Sequence, residues 1–282
     1  MVTKINQIHY DTFKRGSKTY FNSSIFFPAK LRRDVFILYG FTRTADDFVD
    51  SIPPRGNEFY SFKSTYQRAL QGEHTDNVII QSFVDLLRRK DLDPSWVDAF
   101  LTSMELDLTK KVHRTLEETL HYVYGSAEVI GFLVAKIMNL SMDSYPYARM
   151  LARAMQYINF IRDIEEDRQL GRVYLPLEES GLDNLACEYV SARPELFKQF
   201  IQVQIERYKA WQAEAEKGFL YIPWRYLIPV KTASDMYHWT ASEIERNPFI
   251  VYQKKVKPSR AQILSRILLN TLYISVKGVK HG

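Results

Sequence analysis

Apolar residues recur along this chain at steps of three and four, the spacing of one helix face, and almost nowhere at the step of two that marks a half-buried strand. The pattern is densest over 154–170, where Tyr157, Ile158, Phe160, Ile161 and Ile164 fill much of a helical circumference and no Pro or Gly intervenes before Gly171. This spacing predicts a buried helix ending near Leu170. Its polar positions, Gln156, Asn159, Asp163 and Asp167, also follow one another at steps of three and four, so they form a single stripe. Turn and cap signals divide the rest of the chain into further helices. One over 17–27 is stopped by Pro28, and one over 32–51 is ended by Pro53-Pro-Arg-Gly56. Others are expected over 58–71 and 78–90, and after Asp93-Pro94, an N-cap with proline at the first helical position. Thr115-Leu-Glu-Glu118 reads as a capping box that opens a long helix through 140. Residues 144–146 break the chain before the central helix, and 171–181 form a loop. Helices resume at 194–218, at 226–246, and after Pro258 to about 276. No Rossmann or P-loop glycine pattern interrupts this series, which predicts an all-α barrel of antiparallel helices.

Two carboxylates one turn apart on a buried stripe must find partners, because an uncompensated carboxylate is costly at low dielectric. Arg162 is spaced to pair with Glu166 at i,i+4, whereas Asp163 and Asp167 have no basic residue at i±3 or i±4, so their partner lies elsewhere. Upstream, Asp46 and Asp50 repeat the spacing, with Arg43 and Tyr39 one and two turns earlier on roughly the same face. Asp47 falls off that stripe. Two helices of this kind suggest a cavity with four facing carboxylates, which will not share it unless cations hold them there. Oxygen-only ligation suits a hard ion, and Mg2+ commonly takes one or two carboxylates plus the phosphates of a substrate. The expectation is a Mg2+–diphosphate site between helices.

These residues resemble a known family. Asn159-x-x-Arg162-Asp163-x-x-Glu166-Asp167, followed by Gly171-Arg-Val-Tyr-Leu-Pro176, is similar to the second aspartate motif of phytoene and squalene synthases. Asp46-Asp47-x-x-Asp50 after Tyr39-x-x-x-Arg43 resembles their first motif. Gly16-Ser-Lys-Thr-Tyr20 resembles a segment near their N-terminus, and Tyr122-Val-Tyr-Gly-Ser-Ala127 the tyrosine segment between the motifs. The four matches stand in the family's order across 16–176. The resemblance implies the isoprenoid synthase fold, a single-domain helical barrel around a central cavity. It also implies head-to-head (1'-1) condensation of two prenyl diphosphates through a cyclopropylcarbinyl diphosphate. Its metal ligands are Asp46, Asp50, Asp163 and Asp167, holding Mg2+ or Mn2+. Tyr39, Arg43, Tyr122 and Arg162 fall at catalytic positions. Ser17, Lys18, Thr19, Tyr20, Gln156, Asn159 and Arg172 fall at substrate positions. Gln156 and Asn159 either satisfy a helix–helix contact or, as the resemblance favours, touch substrate or metal-bound water. Glu128 stands where the family has glycine and must pair with a cation, bind metal or face away. Glu165, another departure, is off the stripe and expected at the surface. Two geranylgeranyl diphosphates giving phytoene is the expected reaction. The alternatives are farnesyl diphosphate giving squalene, with NADPH as reductant, or dehydrosqualene without it, and a non-catalytic assembly factor. Ser24, one turn beyond Tyr20, leaves room for the longer prenyl chain if Tyr20 lines the cavity.

Composition changes this picture little. The 282 residues suit one domain over 1–282, since the paired motifs need a shared cavity, and 46% hydrophobic with 14% aromatic can line both a core and an apolar cavity. The single cysteine, Cys187, excludes an internal disulfide and fits a reducing compartment. None of the six histidines has metal-ligand spacing, and all are expected to be non-catalytic. A net charge of +5 without a basic tract argues against nucleic acid as a partner. Residues 1–15 lack an apolar signal core. The late apolar run 263–276 is interrupted by Ser265, Arg266, Asn270 and Thr271 and is too short to span a bilayer. A cytoplasmic protein is expected, soluble or peripheral at the membrane, and its oligomeric state is not legible from the sequence.

Overall fold

The computed structural model describes residues 7–12 and 27–277. Ser17, Lys18, Thr19, Tyr20 and Ser24, with nearly all of the helix expected over 17–27, lie outside them. After a short helical segment at 7–12 come α1 (Ala29–Val49), α2 (Gly56–Leu70), α3 (Val78–Lys90), α4 (Pro94–Thr109), α5 (Leu116–Val123) and α6 (Val129–Ile137). Then follow α7 (Tyr145–Arg162), α8 (Ile164–Gln169), α9 (Cys187–Ser191), α10 (Pro194–Glu216), α11 (Trp224–Arg246), α12 (Ile250–Gln253) and α13 (Arg260–Lys277). Among the described residues the fold is all-α, and β structure is limited to one isolated bridge, Val112 to Val173.

Local chemistry sets the helix starts. Asn77 caps α3 through its side-chain oxygen, and Asp93 caps α4 in the same way with Pro94 next in the chain. Thr115 accepts from the Glu118 amide at 3.1 Å, and Glu118 reaches back to the Arg114 amide at 2.7 Å, closing the expected capping box.

Two helices read as continuous from the sequence are not. The segment expected to run from 115 to 140 contains a π turn over Tyr124–Glu128, in which the Val129 amide bonds to the Tyr124 carbonyl. The extra residue lets Gly125 sit against α4, where a Cβ would meet the Ala99 carbonyl and Ser103 Oγ at 2.2 Å. The central helix breaks at Asp163, whose φ of −100° and ψ of 17° end α7 and start α8.

The core lies along α7, which buries Tyr157, Ile158, Phe160 and Ile161 and packs most extensively against α10. On the other side, Phe41 of α1 stacks on Phe83 of α3 at 4.0 Å between ring centroids. Arg89 of α3 holds the buried Asp34 of α1 with two hydrogen bonds of 2.6 and 3.0 Å. These contacts fix α1, and with it the first aspartate motif, against α2–α4.

Candidate active site

The two aspartate motifs are joined by the extended segment that follows α8. Gly171, at φ 72°, takes the left-handed turn that ends the helix. Val173 then pairs with 111–113, its amide donating to the Lys111 carbonyl and its carbonyl accepting from the His113 amide, both at 2.8 Å. Extended backbone alternates its side chains, so Arg172 and Tyr174 point the same way, into the core. Arg172 Nη1 meets Asp50 Oδ1 at 2.6 Å, and Nη2 donates to the Val49 carbonyl at 2.6 Å. Expected at the substrate, Arg172 is instead buried, and it straps the end of α1 to the second motif.

Behind this strap sits Asp107 of α4, a residue that sequence reasoning did not single out. Its carboxylate accepts from Tyr174 at 2.6 Å and Tyr122 at 2.7 Å and lies 3.8 Å from Arg172 Nη1. It is 2% exposed, and burial pushes it up to about 6 against the pull of Arg172 and the two phenols. The Tyr122 hydroxyl, expected at a catalytic position, is thereby committed to Asp107, and burial raises its own pKa well above the usual phenol value. Its ring packs with Tyr174 and Phe160 at 4.8 and 6.0 Å. His113 stacks on Tyr174 at 5.4 Å, and burial pushes it down to about 4, which keeps it neutral.

On α1, Arg43 holds Asp46 at 2.7 Å and Asp47 at 2.6 Å, so the off-stripe Asp47 is also an arginine partner. Tyr39, one turn earlier, is pushed up by burial and lies within electrostatic range of Arg43 and of Tyr237 on α11. Tyr237 is likewise within range of Arg162, between the two motifs, and was not anticipated from the sequence.

The second motif departs from its expected pairing. Arg162 bonds its neighbour Asp163, through Nε at 2.8 Å and through Nη2, because the break at Asp163 removes the i,i+4 alignment with Glu166. Glu166 instead pairs with Lys255, which also lies 3.4 Å from Asp163. Asp163 thus has two cationic partners, and three of the four aspartates (Asp46, Asp50 and Asp163) are held by protein cations. Asp167 is the exception: burial, Asp163 and Asp50 push it far above the usual carboxylate range. Asp46 is also raised, first by burial and then by Asp50. Asp50 therefore lies within electrostatic range of both Asp46 in the first motif and Asp167 in the second.

Neutral polar groups complete the stripe. Asn159 Nδ2 reaches Gln156 Oε1 at 3.5 Å, while Asn159 Oδ1 is buried without a hydrogen-bond partner. Glu128, fully buried, is bound by Arg149 and by Arg153, the latter at 2.5 Å, both from α7. Glu165 pairs with Arg168 at 2.7 Å, partly exposed. Among the described residues, no three acidic, His or Cys side chains form a group that could hold a metal ion, so the four aspartates do not converge as the two motifs led one to expect. A hard divalent cation nevertheless fits this donor set. It would find only oxygen ligands, one of them the orphaned Asn159 Oδ1, and two carboxylates whose charge the protein leaves under-compensated.

Comparison with known proteins bears on this arrangement. A family model described as squalene/phytoene synthase matches residues 13–262. A 15-cis-phytoene synthase of Enterobacter agglomerans is 31% identical over 244 residues, covering 79% of this chain and 80% of that protein. Another, from Synechococcus elongatus, is 25% identical and covers 86% and 84% respectively. Among solved structures, a dehydrosqualene synthase in complex with ligand aligns with a TM-score of 0.84 at 18% identity over 98% of both chains. Squalene synthase HpnC from Alicyclobacillus acidocaldarius aligns at 0.76 with 22% identity, over 87% of this chain and 94% of its own. With the family's two aspartate motifs strapped together, and with matches over most of its length, this chain belongs to the squalene/phytoene synthase family and is a prenyltransferase of that type.

Proposed function

We propose that this protein condenses two molecules of geranylgeranyl diphosphate head to head, giving phytoene through a cyclopropylcarbinyl diphosphate and releasing diphosphate in two ionisations. The observation that carries this reading is the placing of Asp50 between the motifs, held by Arg172 and raising both Asp46 and Asp167. Several curated relatives over most of the chain are phytoene synthases, which favours the longer substrate. Asp46, Asp50, Asp163 and Asp167, with Asn159, would hold Mg2+, or Mn2+ in its place. When bound, the ion supplies positive charge that neutralises a departing diphosphate. Arg43 and Arg162 sit beside the aspartates and can turn bidentate donors onto phosphate oxygens. The rings of Tyr39 and Tyr122 offer π faces to an allylic cation, in a site where stray water would divert it. Because its hydroxyl donates to Asp107, Tyr122 acts through its ring, and the final proton goes to diphosphate or another tyrosine.

Purified protein incubated with labelled farnesyl or geranylgeranyl diphosphate and Mg2+ tests the reading by product identification. A C40 triene from the longer substrate, formed without NADPH, is expected. Squalene formed only with NADPH, or dehydrosqualene from farnesyl diphosphate alone, would replace the C40 assignment.

A further inference from the structure

We propose that α13 docks this protein on an anionic lipid bilayer, lying in the plane of the membrane with its leucines in the headgroup–acyl boundary. The helix has two apolar faces and uses only one of them. Ile263, Ile267, Asn270 and Ile274 are buried against α11. Asn270 Nδ2 fixes that contact by donating to Thr232 at 3.1 Å and Asp235 at 2.8 Å. Away from α11, Leu264 is 61% exposed, Leu268 62%, Leu269 53%, Leu272 57% and Tyr273 51%. At about 100° per residue these five cover roughly half of the helix circumference. Gln262 and Ser265 are exposed within the same arc, but a leucine-rich face of that width on a folded protein marks an interaction surface rather than ordinary exposed leucine.

Charge selects the occupant. Residues 247–282 contain Lys254, Lys255, Lys257, Arg260, Arg266, Lys277 and Lys280 and no Asp or Glu, which leaves 31 basic against 33 acidic side chains in residues 1–246. The positive charge of the chain therefore resides at this end. On the helical wheel Arg260 and Arg266 flank the leucine face on its two sides, Arg266 with its Nε 3.9 Å from Asp235 of α11. An apolar face bordered by cations and free of carboxylates is the pattern of a helix lying among anionic headgroups. In a two-fold dimer built on the same face, the flanking arginines would meet without one acidic partner on the helix. No helix among the described residues is long and apolar enough to cross a membrane, so the contact lies on the surface of the bilayer. The hydrocarbon product proposed above would leave into such a surface, but the docking stands or falls on vesicle binding, independently of catalysis.

The experiment is cosedimentation of the purified protein with phosphatidylglycerol vesicles or with phosphatidylcholine vesicles, alongside sedimentation equilibrium of the protein alone. Wild type should bind phosphatidylglycerol, more weakly at high salt and on phosphatidylcholine. The triple variant Leu264→Glu/Leu268→Glu/Leu272→Glu should lower the partition coefficient by ~10-fold or more, with circular dichroism and vesicle-free diphosphate release unchanged. Arg260→Glu, at the edge of the face, should lower it ~5-fold on phosphatidylglycerol only. Wild type that ignores phosphatidylglycerol vesicles, or undiminished binding in both variants, overturns the proposal. A dimer that the triple variant dissolves, without vesicle binding, would assign the face to a second copy instead.

Discussion

Asp107 is almost fully buried, yet two phenols donate to it and Arg172 lies nearby. Burial sets its pKa at about 6, above its ordinary 3.8. A carboxyl raised in this way stabilises the fold when protonated, so its contribution is present below pH 4 and is lost as pH rises through 6. Asparagine carries no such dependence. Relative to Asp107→Asn, wild type should lose about 3 kcal/mol of unfolding free energy from below pH 4 to above pH 6. Urea titrations of both proteins across that range measure this, and parallel curves would show that the carboxyl does not titrate there. Arg172→Met removes the cation beside Asp107 and Asp50 together, and breaking a buried pair costs ~3–5 kcal/mol. A loss of less than ~1 kcal/mol in thermal or urea unfolding would deny it the role of strap. At this scale spacing anticipated part of the charge arrangement: Arg43 does stand beside Asp46, and an arginine of the second motif, Arg162, beside Asp163. Asp107 carried a readable signal too, since it continues the buried face of Leu101 and Met104, and an acid on such a face needs partners. Lys255 carried none, because its approach to Asp163 depends on how α12 and the following loop fold back.

The long helices were legible from periodicity, whereas the short α9 and α12 were not, and the two breaks inside helices read as continuous share a cause. A break such as the one at Asp163, or a π turn such as Tyr124–Glu128, leaves the local apolar pattern intact while rotating everything that follows. Tertiary partners decide such positions. In the π turn the partners are Ala99 and Ser103 against Gly125, and Arg149 and Arg153 around Glu128. Glu128 is fully buried, so Glu128→Ala leaves Arg153 facing it without a counter-charge, at a cost of ~3–5 kcal/mol. Of the alternatives open for a glutamate at this position, the structure shows pairing with cations, Arg149 and Arg153. Thermal unfolding of Glu128→Ala checks this, and wild-type stability would mean that the two arginines find other partners.

At the scale of the molecule, the fold class and family were readable from four short motifs, whereas the strap that unites them was not. Pairing between 111–113 and 172–174 is invisible to helical periodicity, and only the extended backbone reveals why Arg172 and Tyr174 are spaced by two. Ser24 lies outside the described residues, so its part in substrate length rests on its helical spacing from Tyr20 and on the place the resemblance gives Tyr20: Ser24→Phe should shift preference from geranylgeranyl towards farnesyl diphosphate, read from competition between the two. The central claim is that both aspartate motifs serve one metal–diphosphate site. It is tested most directly by single-turnover diphosphate release from geranylgeranyl diphosphate in Mg2+, for wild type, Asp46→Asn and Asp163→Asn. Each variant should keep its helical circular dichroism and lose at least ~10²-fold in rate, the scale of a lost transition-state charge stabiliser. Wild type in excess EDTA should fall comparably. A near-normal rate in either variant, or in EDTA, would contradict the account.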